Sequence, residues 1–204
     1  MTTRILPARG TMRKEPRQER ARATVEAILE AAARILDRQG WARFTTNAVA
    51  DAAGVSIGSL YQYFPNKLAL VEAILRRHFD LVLAALRVAD QHTTHRARVD
   101  GLVSGMIAAH SVHPSLYRVL LDDVPRRRIS RAVHQNFESE YWNLYTKLIA
   151  ASERSGAHLG SEVRAQVVSS AIEGVVHDAA RRGTLGSLEL KEELVHLVGA
   201  YLRG

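Results

Sequence analysis

The chain has 204 residues, of which 47% are hydrophobic and 24% are charged, so it is long and apolar enough for one small domain and one larger helical domain. It contains no cysteine, which excludes disulfides, thiolate metal sites and redox sensing by a thiol. Its formal net charge is +7, and residues 1–22 hold most of the excess, with seven Arg and Lys against two Glu.

Residues 1–22 also contain Pro7, Gly10 and Pro16 and lack a sustained apolar period, which predicts a flexible basic arm. The arm has two possible interpretations. It is either a solvated tail or a segment that contacts DNA phosphates or the minor groove. The sequence has no apolar run of the roughly 20 residues that cross a bilayer, and its N-terminus lacks the apolar block of a signal peptide. We therefore expect a cytoplasmic protein without a membrane partner.

The first folded element is a helix predicted over residues 24–39, where apolar residues recur at helical spacing until Gly40 ends the pattern. Trp41 and Phe44 are expected to anchor the following link in the core. The apolar stripe that defines this helix consists of Val25, Ile28, Leu29, Ala32, Ile35 and Leu36.

The next segment has the spacing of two short helices joined by a glycine turn. Thr45 or Thr46 can cap the first helix. Gly54 fits the left-handed residue that ends it, and Ser56 can cap the second helix. Ala50 lies at the expected crossing, where a small side chain lets the two axes approach closely. The apolar residues that can share one core across the turn are Val49, Leu60, Tyr61 and Phe64.

This segment resembles the DNA-binding domain of the tetracycline-repressor (TetR) family, down to the run LYQYFPNK from Leu60 to Lys67. The resemblance implies an all-α fold, with a three-helix helix-turn-helix domain at residues 23–67 and a helical effector-binding and dimerisation domain at residues 68–204. It also implies a ligand-responsive transcriptional regulator, typically a repressor that binds a palindromic DNA operator as a homodimer and is released by a small-molecule effector. An activator or a ligand-independent DNA-binding protein is the alternative.

In a helix-turn-helix the second helix enters the major groove of DNA. By the resemblance, Tyr61, Tyr63 and Lys67 contact phosphates, although a core position is also open for Tyr61. Gln62 is the expected base reader, because its amide can pair bidentately with adenine. No arginine lies on this surface, so direct readout should be modest and DNA shape should contribute. The full set of expected DNA contacts is Thr46, Asn47, Ser56, Ile57, Gly58, Ser59, Tyr61, Gln62, Tyr63 and Lys67.

The rest of the chain is predicted to be helical. Pro65 and Asn66 start a long helix, and the apolar period with its Pro and Gly breaks predicts five more. No alternating strand pattern of useful length appears, so the chain is predicted to be all-α. The five later helices are expected at about 96–110, 114–121, 126–154, 161–182 and 189–202.

The resemblance implies a ligand cavity among the helices of the second domain. Aromatic residues at helical spacing also fill ordinary cores, so both interpretations stay open for these positions. The ligand-pocket candidates are Phe79, Met106, His110, Tyr117, Phe137, Tyr141, Trp142 and Tyr145.

In the TetR family the last two helices pair with those of a second subunit as a four-helix bundle. Apolar stripes on both predicted helices can supply such a face or close the subunit's own core, and periodicity does not separate the two. The dimer-interface candidates are Val167, Val168, Ile172, Val175, Leu194, Leu197 and Val198.

Two glycine patterns point to other functions. Gly54, Ser56 and Gly58 spell G-x-S-x-G, the nucleophile elbow of serine hydrolases, but that motif needs a strand before the serine and a helix is predicted there. Gly101 and Gly105 form G-x-x-x-G in a segment that is too polar and short to span a membrane, so close helix packing suffices. We expect no enzyme activity.

Four histidines have spacings that can place pairs on one helical face: His92 with His95, and His110 with His113. No third-ligand motif accompanies them, although Asp90, Asp100 or Asp122 could complete a metal site. Surface or pocket-lining positions are the favoured interpretation over metal sensing, and we expect no metal and no cofactor. The arginines at positions 126–128 and 131 similarly favour a solvated face over a second anion site.

Overall fold

The computed structural model describes residues 19–124, 131–151 and 161–203. Every regular element within these ranges is a helix, which confirms the predicted all-α fold. None of these helices carries an apolar stretch of the length that a membrane span requires. The elements are α1 (Glu19–Arg43), α2 (Thr46–Ala53), α3 (Ile57–Tyr63), α4 (Lys67–Asp90), α5 (His95–Ser111), α6 (Leu116–Asp122), α7 (Arg131–Ala150), α8 (Ser161–Arg182) and α9 (Leu188–Arg203).

The start of α1 differs from the sequence-based prediction. The helix begins at Glu19, so residues 19–22 are helical although they were predicted to belong to the flexible arm. This extra turn is polar, and the Thr24 hydroxyl bonds back to the carbonyl of Arg20 at 2.9 Å. An apolar period does not detect a turn of this kind, because Glu19, Arg20 and Arg22 are polar and exposed.

Some predictions lie outside the described residues. They concern the arm up to residue 18, the ends of the helix expected at 126–154, and the arginines at 126–128. The part of that helix that is described runs from Arg131 to Ala150.

The described residues fall into two compact units. The first is drawn from Met1–Arg77 and Ser115–Val133, and the second from His78–Pro114 and His134–Gly204. This division lies within α4, whereas the sequence-based boundary at residues 67 and 68 lies at the beginning of that helix. The exact domain bounds stay a prediction.

The core of the first unit includes side chains from each of its first three helices. Ile28 of α1, Val49 of α2 and Leu60 of α3 are fully buried. Ala50 is buried as well, and its carbonyl accepts the N–H of Val55 at 3.0 Å across the turn. A larger side chain at position 50 would therefore displace buried neighbours.

Gly40 interrupts α1 at the place where the sequence predicts its end. Its backbone has φ 72° and ψ −177°, a conformation that glycine adopts without a Cβ clash. Helical structure then continues for one short turn to Arg43. Within this turn the half-buried Trp41 stacks on the buried Phe44, with 5.8 Å between the ring centroids. Phe44 is therefore the core anchor that the sequence predicts, and Trp41 covers it from the surface side.

The second unit has a core of apolar side chains from α4, α5, α7, α8 and α9. Gly105 of α5 lies directly against Ala85 of α4: a Cβ built on the glycine would be 2.6 Å from the Ala85 Cβ and 3.2 Å from its Cα. The predicted explanation of the G-x-x-x-G pattern, close helix packing, is confirmed at this position. Gly101 is also crowded, because a Cβ there would lie 2.9 Å from the His92 ring.

Replacing Gly105 with alanine should destabilise the second unit, because the new methyl group would overlap the Cβ of Ala85 at 2.6 Å and lie tightly against its Cα at 3.2 Å. We expect the free energy of unfolding to fall by about 1–3 kcal/mol in urea or thermal denaturation. Gly186→Ala is the matched control, since nothing lies within 4 Å of the added Cβ. Equal stability of both variants would contradict the proposed close contact.

Candidate DNA-binding surface and ligand site

Side-chain and glycine caps fix the geometry of the helix-turn-helix. The Thr45 hydroxyl accepts the N–H of Ala48 at 3.1 Å, so Thr45 rather than Thr46 is the cap of α2. Gly54 adopts the predicted left-handed conformation with φ 67°. The Ser56 hydroxyl accepts the N–H of Ser59 at 3.0 Å and so begins α3. The sequence-based explanation of the turn is confirmed.

The start of α3 is open to solvent. Ser56, Ile57, Gly58 and Gln62 are exposed, while Ser59 and Tyr63 are half-buried, and Asn47 of α2 is exposed too. The G-x-S-x-G pattern is preceded by α2 and followed by α3, so the strand that a nucleophile elbow needs is not there. Ser56 acts as a helix cap.

Tyr61 is on the surface and not in the core. Its side chain is 41% exposed, so the alternative of a core position is wrong and the phosphate contact stays a prediction. Its hydroxyl lies 3.1 Å from the Thr46 hydroxyl, a hydrogen bond that joins α3 to α2. Two of the expected DNA contacts are therefore held together before any DNA is bound.

Lys67 begins α4 and lies over an aromatic ring. Asn66 caps this helix, since its side-chain oxygen accepts the N–H groups of Leu68 and Ala69 at 2.9 and 3.0 Å. The Lys67 ammonium is 3.7 Å from the centroid of the Trp41 ring, within range of a cation–π interaction. Sequence reasoning placed Trp41 only in the core and missed this contact, because 26 positions of sequence separate the two residues.

Most of the ligand-pocket candidates come together in the second unit. The Phe79 and Phe137 rings stack with 3.8 Å between centroids, and Phe137 lies 5.1 Å from Tyr141. Tyr141 in turn lies 4.8 Å from Tyr145. The remaining two members, Met106 and His110, are buried in α5.

Two candidates lie elsewhere. Tyr117 is on α6, which belongs to the first unit. Trp142 is 40% exposed and lines a surface groove of about 500 Å³ with neighbours that include Glu162 and Gln166. The helical period grouped Trp142 with its neighbours Tyr141 and Tyr145, but its side chain points away from the core.

A row of polar residues on α8 completes the aromatic group, and sequence reasoning missed it. The Tyr141 hydroxyl donates a hydrogen bond to the Glu173 carboxylate at 2.5 Å. His177, one turn further along α8, has its Nε2 3.3 Å from the Nε2 of His110. The spacing of Ser169, Glu173 and His177 by four residues was a signal that they share one helical face.

Three histidines form a chain across three helices, in which His78 and His110 are buried and His177 is half-buried. His78 of α4 meets His110 of α5 edge to face, with 4.8 Å between ring centroids, and His110 meets His177 at 5.0 Å. His110 Nδ1 donates to the Met106 carbonyl at 2.9 Å. In its neutral form His110 Nε2 is therefore an acceptor, and His177 is the donor between them.

Burial controls the protonation of this group. It lowers the pKa of His78 to about 3, with further lowering by His110 and His177. It also lowers the pKa of His177 to about 4 and that of His110 below its usual value. Burial raises the pKa of Glu173, although the Tyr141 hydrogen bond opposes this shift. The three histidines are thus neutral at physiological pH.

The described parts of the chain contain no group of three or more His, Asp or Glu side chains arranged to hold a metal ion. Of the two histidine pairs noted in the sequence, His95 lies near the Gly199 carbonyl, 3.3 Å from its Nε2, and His110 belongs to the chain of histidines. Spacing in sequence therefore did not identify the histidines that are close in space.

The dimer-interface candidates divide into two groups. Val167 and Leu197 are 44% and 53% exposed, and Val175 is half-buried. The other four pack in the core of their own unit, which corrects their assignment to an interface with a second subunit. These buried residues are Val168, Ile172, Leu194 and Val198.

The capped helix-turn-helix and the exposed start of α3 define the class of fold, that of helix-turn-helix DNA-binding proteins. Comparison with known families then identifies the family. The chain belongs to the TetR family, because residues 28–74 match the model of the bacterial regulatory proteins of the tetR family and residues 94–202 match the tetracyclin repressor-like C-terminal domain.

Individual relatives are more distant. The HTH-type transcriptional regulator TtgR of Pseudomonas putida is 29% identical over 121 residues, which are 59% of this chain and 54% of TtgR. The HTH-type transcriptional activator FasR of Mycolicibacterium smegmatis is 32% identical over 120 residues, 57% of this chain and 53% of FasR. The chain thus matches about half the length of these curated relatives.

A solved structure has the same fold over almost the whole chain. The fatty acid degradation regulator FadR from Bacillus halodurans superposes with a TM-score of 0.71 and 18% sequence identity. The match covers 93% of this chain and 97% of that one.

The Trp41 ring should hold Lys67 in place for its expected phosphate contact. Trp41→Leu is expected to weaken binding to an operator by about two- to fivefold, which corresponds to about 0.5–1 kcal/mol for an exposed cation–π contact. In a Lys67→Ala background the same change should have little further effect, because the ammonium is already gone. If the two substitutions weakened operator binding additively, with the melting temperature of each variant unchanged, the proposed role of Trp41 would be contradicted.

Acid should destabilise the second unit through His78. The unfolded histidine titrates near 6.5 and the folded one near 3, so the unfolded state takes up a proton first as the pH falls through this window. The free energy of unfolding then falls by up to about 1.4 kcal/mol for each pH unit of acidification and for each such histidine. His78→Phe should show a shallower loss in urea titrations at several pH values. The raised pKa of Glu173 changes the pH dependence of stability in the opposite direction. This effect is present in both the wild-type protein and His78→Phe, so it cancels when the two are compared.

Proposed function

We propose that the chain is a homodimeric transcriptional repressor that binds a palindromic operator and leaves it when a small molecule binds the second unit. The observation that carries the proposal is the exposed N-terminal end of α3, which presents Ser56, Ile57 and Gly58 with Gln62 one turn further on. Side chains near the start of the second helix of a helix-turn-helix are those that reach base edges. With DNA as its partner, the protein would act in the cytoplasm.

Residues around this face suit contacts to the DNA backbone. Tyr61, joined to Thr46, and Lys67, held over Trp41, offer hydroxyl and ammonium donors in prearranged positions. Contacts of this kind fix the register of the protein on the duplex without reading sequence. Gln62 would supply the base-specific hydrogen bonds, with adenine as its preferred partner.

A second subunit is supported by exposed apolar side chains on α8 and α9. Val163 and Val167 of α8 are 62% and 44% exposed, and Leu197 and Tyr201 of α9 are 53% and 40% exposed. Apolar side chains along two adjacent helices favour pairing with a copy of the same helices in a four-helix bundle. Two-fold symmetry of the protein would then require a two-fold repeat in the operator.

Release by a ligand requires that the ligand prefer one spacing of the two reading helices over the other. The polar and aromatic group around Tyr141 and Glu173 is the proposed binding place, because it sets hydrogen-bonding groups among flat rings in a largely apolar core. An activator is the alternative, since the relative FasR is named as one. A ligand-independent DNA-binding protein is another.

Selection of bound fragments from genomic DNA, followed by titration of the best fragment against a scrambled one at several salt concentrations, tests the proposal. We expect tight, sequence-dependent binding to a two-fold repeat. Equal and steeply salt-sensitive binding to both fragments would leave only non-specific contacts to phosphates and would overturn it. Transcription in vitro from a promoter carrying the selected site then separates repression from activation.

A charge on the exposed apolar face should separate the subunits. Val167→Glu with Leu197→Glu is expected to convert the dimer to a monomer in analytical ultracentrifugation and to weaken operator binding at least about tenfold, because buried unpaired carboxylates are costly. Val88→Glu is the matched control: Val88 of α4 is 53% exposed and lies outside the proposed interface. Dimers of unchanged stability in the double variant would contradict the assignment of this face.

A further inference from the structure

Gly58 is the second residue of α3, and the fold of the protein does not require a glycine there. Its φ is not positive, unlike those of Gly40, Gly54 and Gly183, so any L-residue can adopt this backbone conformation without strain. A Cβ built on Gly58 would meet one atom of the described residues within 4 Å, the Ser56 hydroxyl oxygen at 3.8 Å. That distance is an ordinary van der Waals contact, so the protein alone has room for a side chain at this position.

A glycine in such a place lowers the stability of the folded protein. Glycine has more backbone freedom than alanine in the unfolded chain, so alanine is the more stabilising residue wherever the native backbone suits both. Gly105 is the opposite case, because a Cβ there would lie 2.6 Å from that of Ala85. Close packing inside the molecule therefore explains Gly105 but not Gly58. Since Gly58 is exposed, its explanation has to come from what α3 contacts outside the chain.

The exposed surface beside Gly58 combines an aliphatic and an amide side chain. Ile57 precedes the glycine and is 38% exposed. Ser59 follows it, and its hydroxyl is engaged with the Ser56 hydroxyl at 2.8 Å. Gln62 is exposed and lies four residues further on, so it shares the helical face of Gly58 at about 6 Å along the helix axis. Bare backbone therefore lies between an apolar group and an amide on the predicted reading face.

The major groove of DNA offers one methyl group, the C5 methyl of thymine, among edge groups that otherwise donate or accept hydrogen bonds. A thymine methyl that reached the Cα of Gly58 would bury apolar surface against the Ile57 side chain. A Cβ at position 58 would extend about 1.5 Å from the Cα into the space that this methyl needs. Gln62, on the same face, has the amide that suits the adenine of an A·T pair.

We infer that Gly58 is a specificity-determining residue of the DNA-binding surface: the absence of a side chain makes room for the C5 methyl of a thymine, which packs against Ile57 beside the base that Gln62 reads. The inference rests on the proposed function, because it requires that α3 dock in the major groove. It deepens that function by naming the base feature that the start of α3 recognises.

Substitutions in the protein and in the DNA test the inference together. The preferred duplex is selected from random sequences with the wild-type protein, and each of its thymines is then replaced in turn by deoxyuridine, which lacks only the methyl. We expect one thymine per half-site at which deoxyuridine weakens wild-type binding by about two- to fivefold, the size of burying one methyl group. Gly58→Ala should weaken binding to the thymine duplex at least about tenfold, measured by fluorescence anisotropy.

The decisive comparison combines the two changes. Removing the DNA methyl should rescue Gly58→Ala, because the new Cβ then occupies the space that the methyl leaves. We expect this variant to bind the deoxyuridine duplex at least about fivefold more tightly than the thymine duplex, the reverse of the wild-type order. An equal loss on both duplexes at every thymine position, or no loss at all, would overturn the inference.

Melting curves separate this role from a role in the fold. Gly58→Ala should melt at the wild-type temperature or about 1–4 °C above it, because alanine suits this backbone. A clearly lower melting temperature would show that the fold needs the glycine and would overturn the inference. Gly186→Ala is the matched control, since it adds the same methyl at an exposed glycine with nothing within 4 Å, and it should leave both DNA affinities unchanged.

Failure of this inference and failure of the proposed function give different results. A protein that selects a specific sequence but does not repress transcription, or is not released by a small molecule, would refute the ligand-released repressor and leave the thymine test intact. A repressor whose Gly58→Ala variant binds both duplexes as the wild type does would refute the inference alone. A wild-type protein without any sequence preference would refute both.

Discussion

The turn between α2 and α3 is the constraint on which the DNA-binding unit depends. Gly54 must adopt a left-handed conformation so that α3 can cross α2 over the small side chain of Ala50. Ser56 then has one position in which it caps α3, and the exposed residues of that helix follow from it. A substitution that altered the turn would move every base-reading side chain together, so the surface has to be understood as one rigid arrangement.

The sequence predicted the interactions between residues close together in the chain and missed those between distant segments. Gly54, Thr45 and Ser56 act on residues at most four positions away, and the sequence revealed them. The contact of Lys67 with Trp41 and the convergence of His78, His110 and His177 join distant segments, and periodicity has no information on them. Tyr61 was ambiguous for a related reason: a short amphipathic helix permits several rotations about its axis, and packing selects one.

Helix α8 has two functional surfaces: a polar face inside the second unit and an exposed apolar face. Ser169, Glu173 and His177 lie on one face with the tyrosines and histidines, while Val163 and Val167 remain exposed on another. A helix is stiff over this length, so a shift that accommodates a ligand at Glu173 would be felt at the exposed apolar face as well. The sequence pattern did not predict this division. Val167 and Val168 are adjacent and equally apolar, yet Val167 is exposed and Val168 is buried.

The contact between Trp41 and Lys67 also makes tryptophan fluorescence an intrinsic probe of the DNA-binding unit. The chain has two tryptophans, Trp41 in the first unit and Trp142 in the second, so indole emission reports on each unit separately once the other tryptophan is replaced. An ammonium close to an indole ring perturbs its excited state, so any event that draws Lys67 towards a phosphate should change the colour or yield of Trp41. Engagement with DNA could be followed in real time without a label attached to the protein or to the duplex.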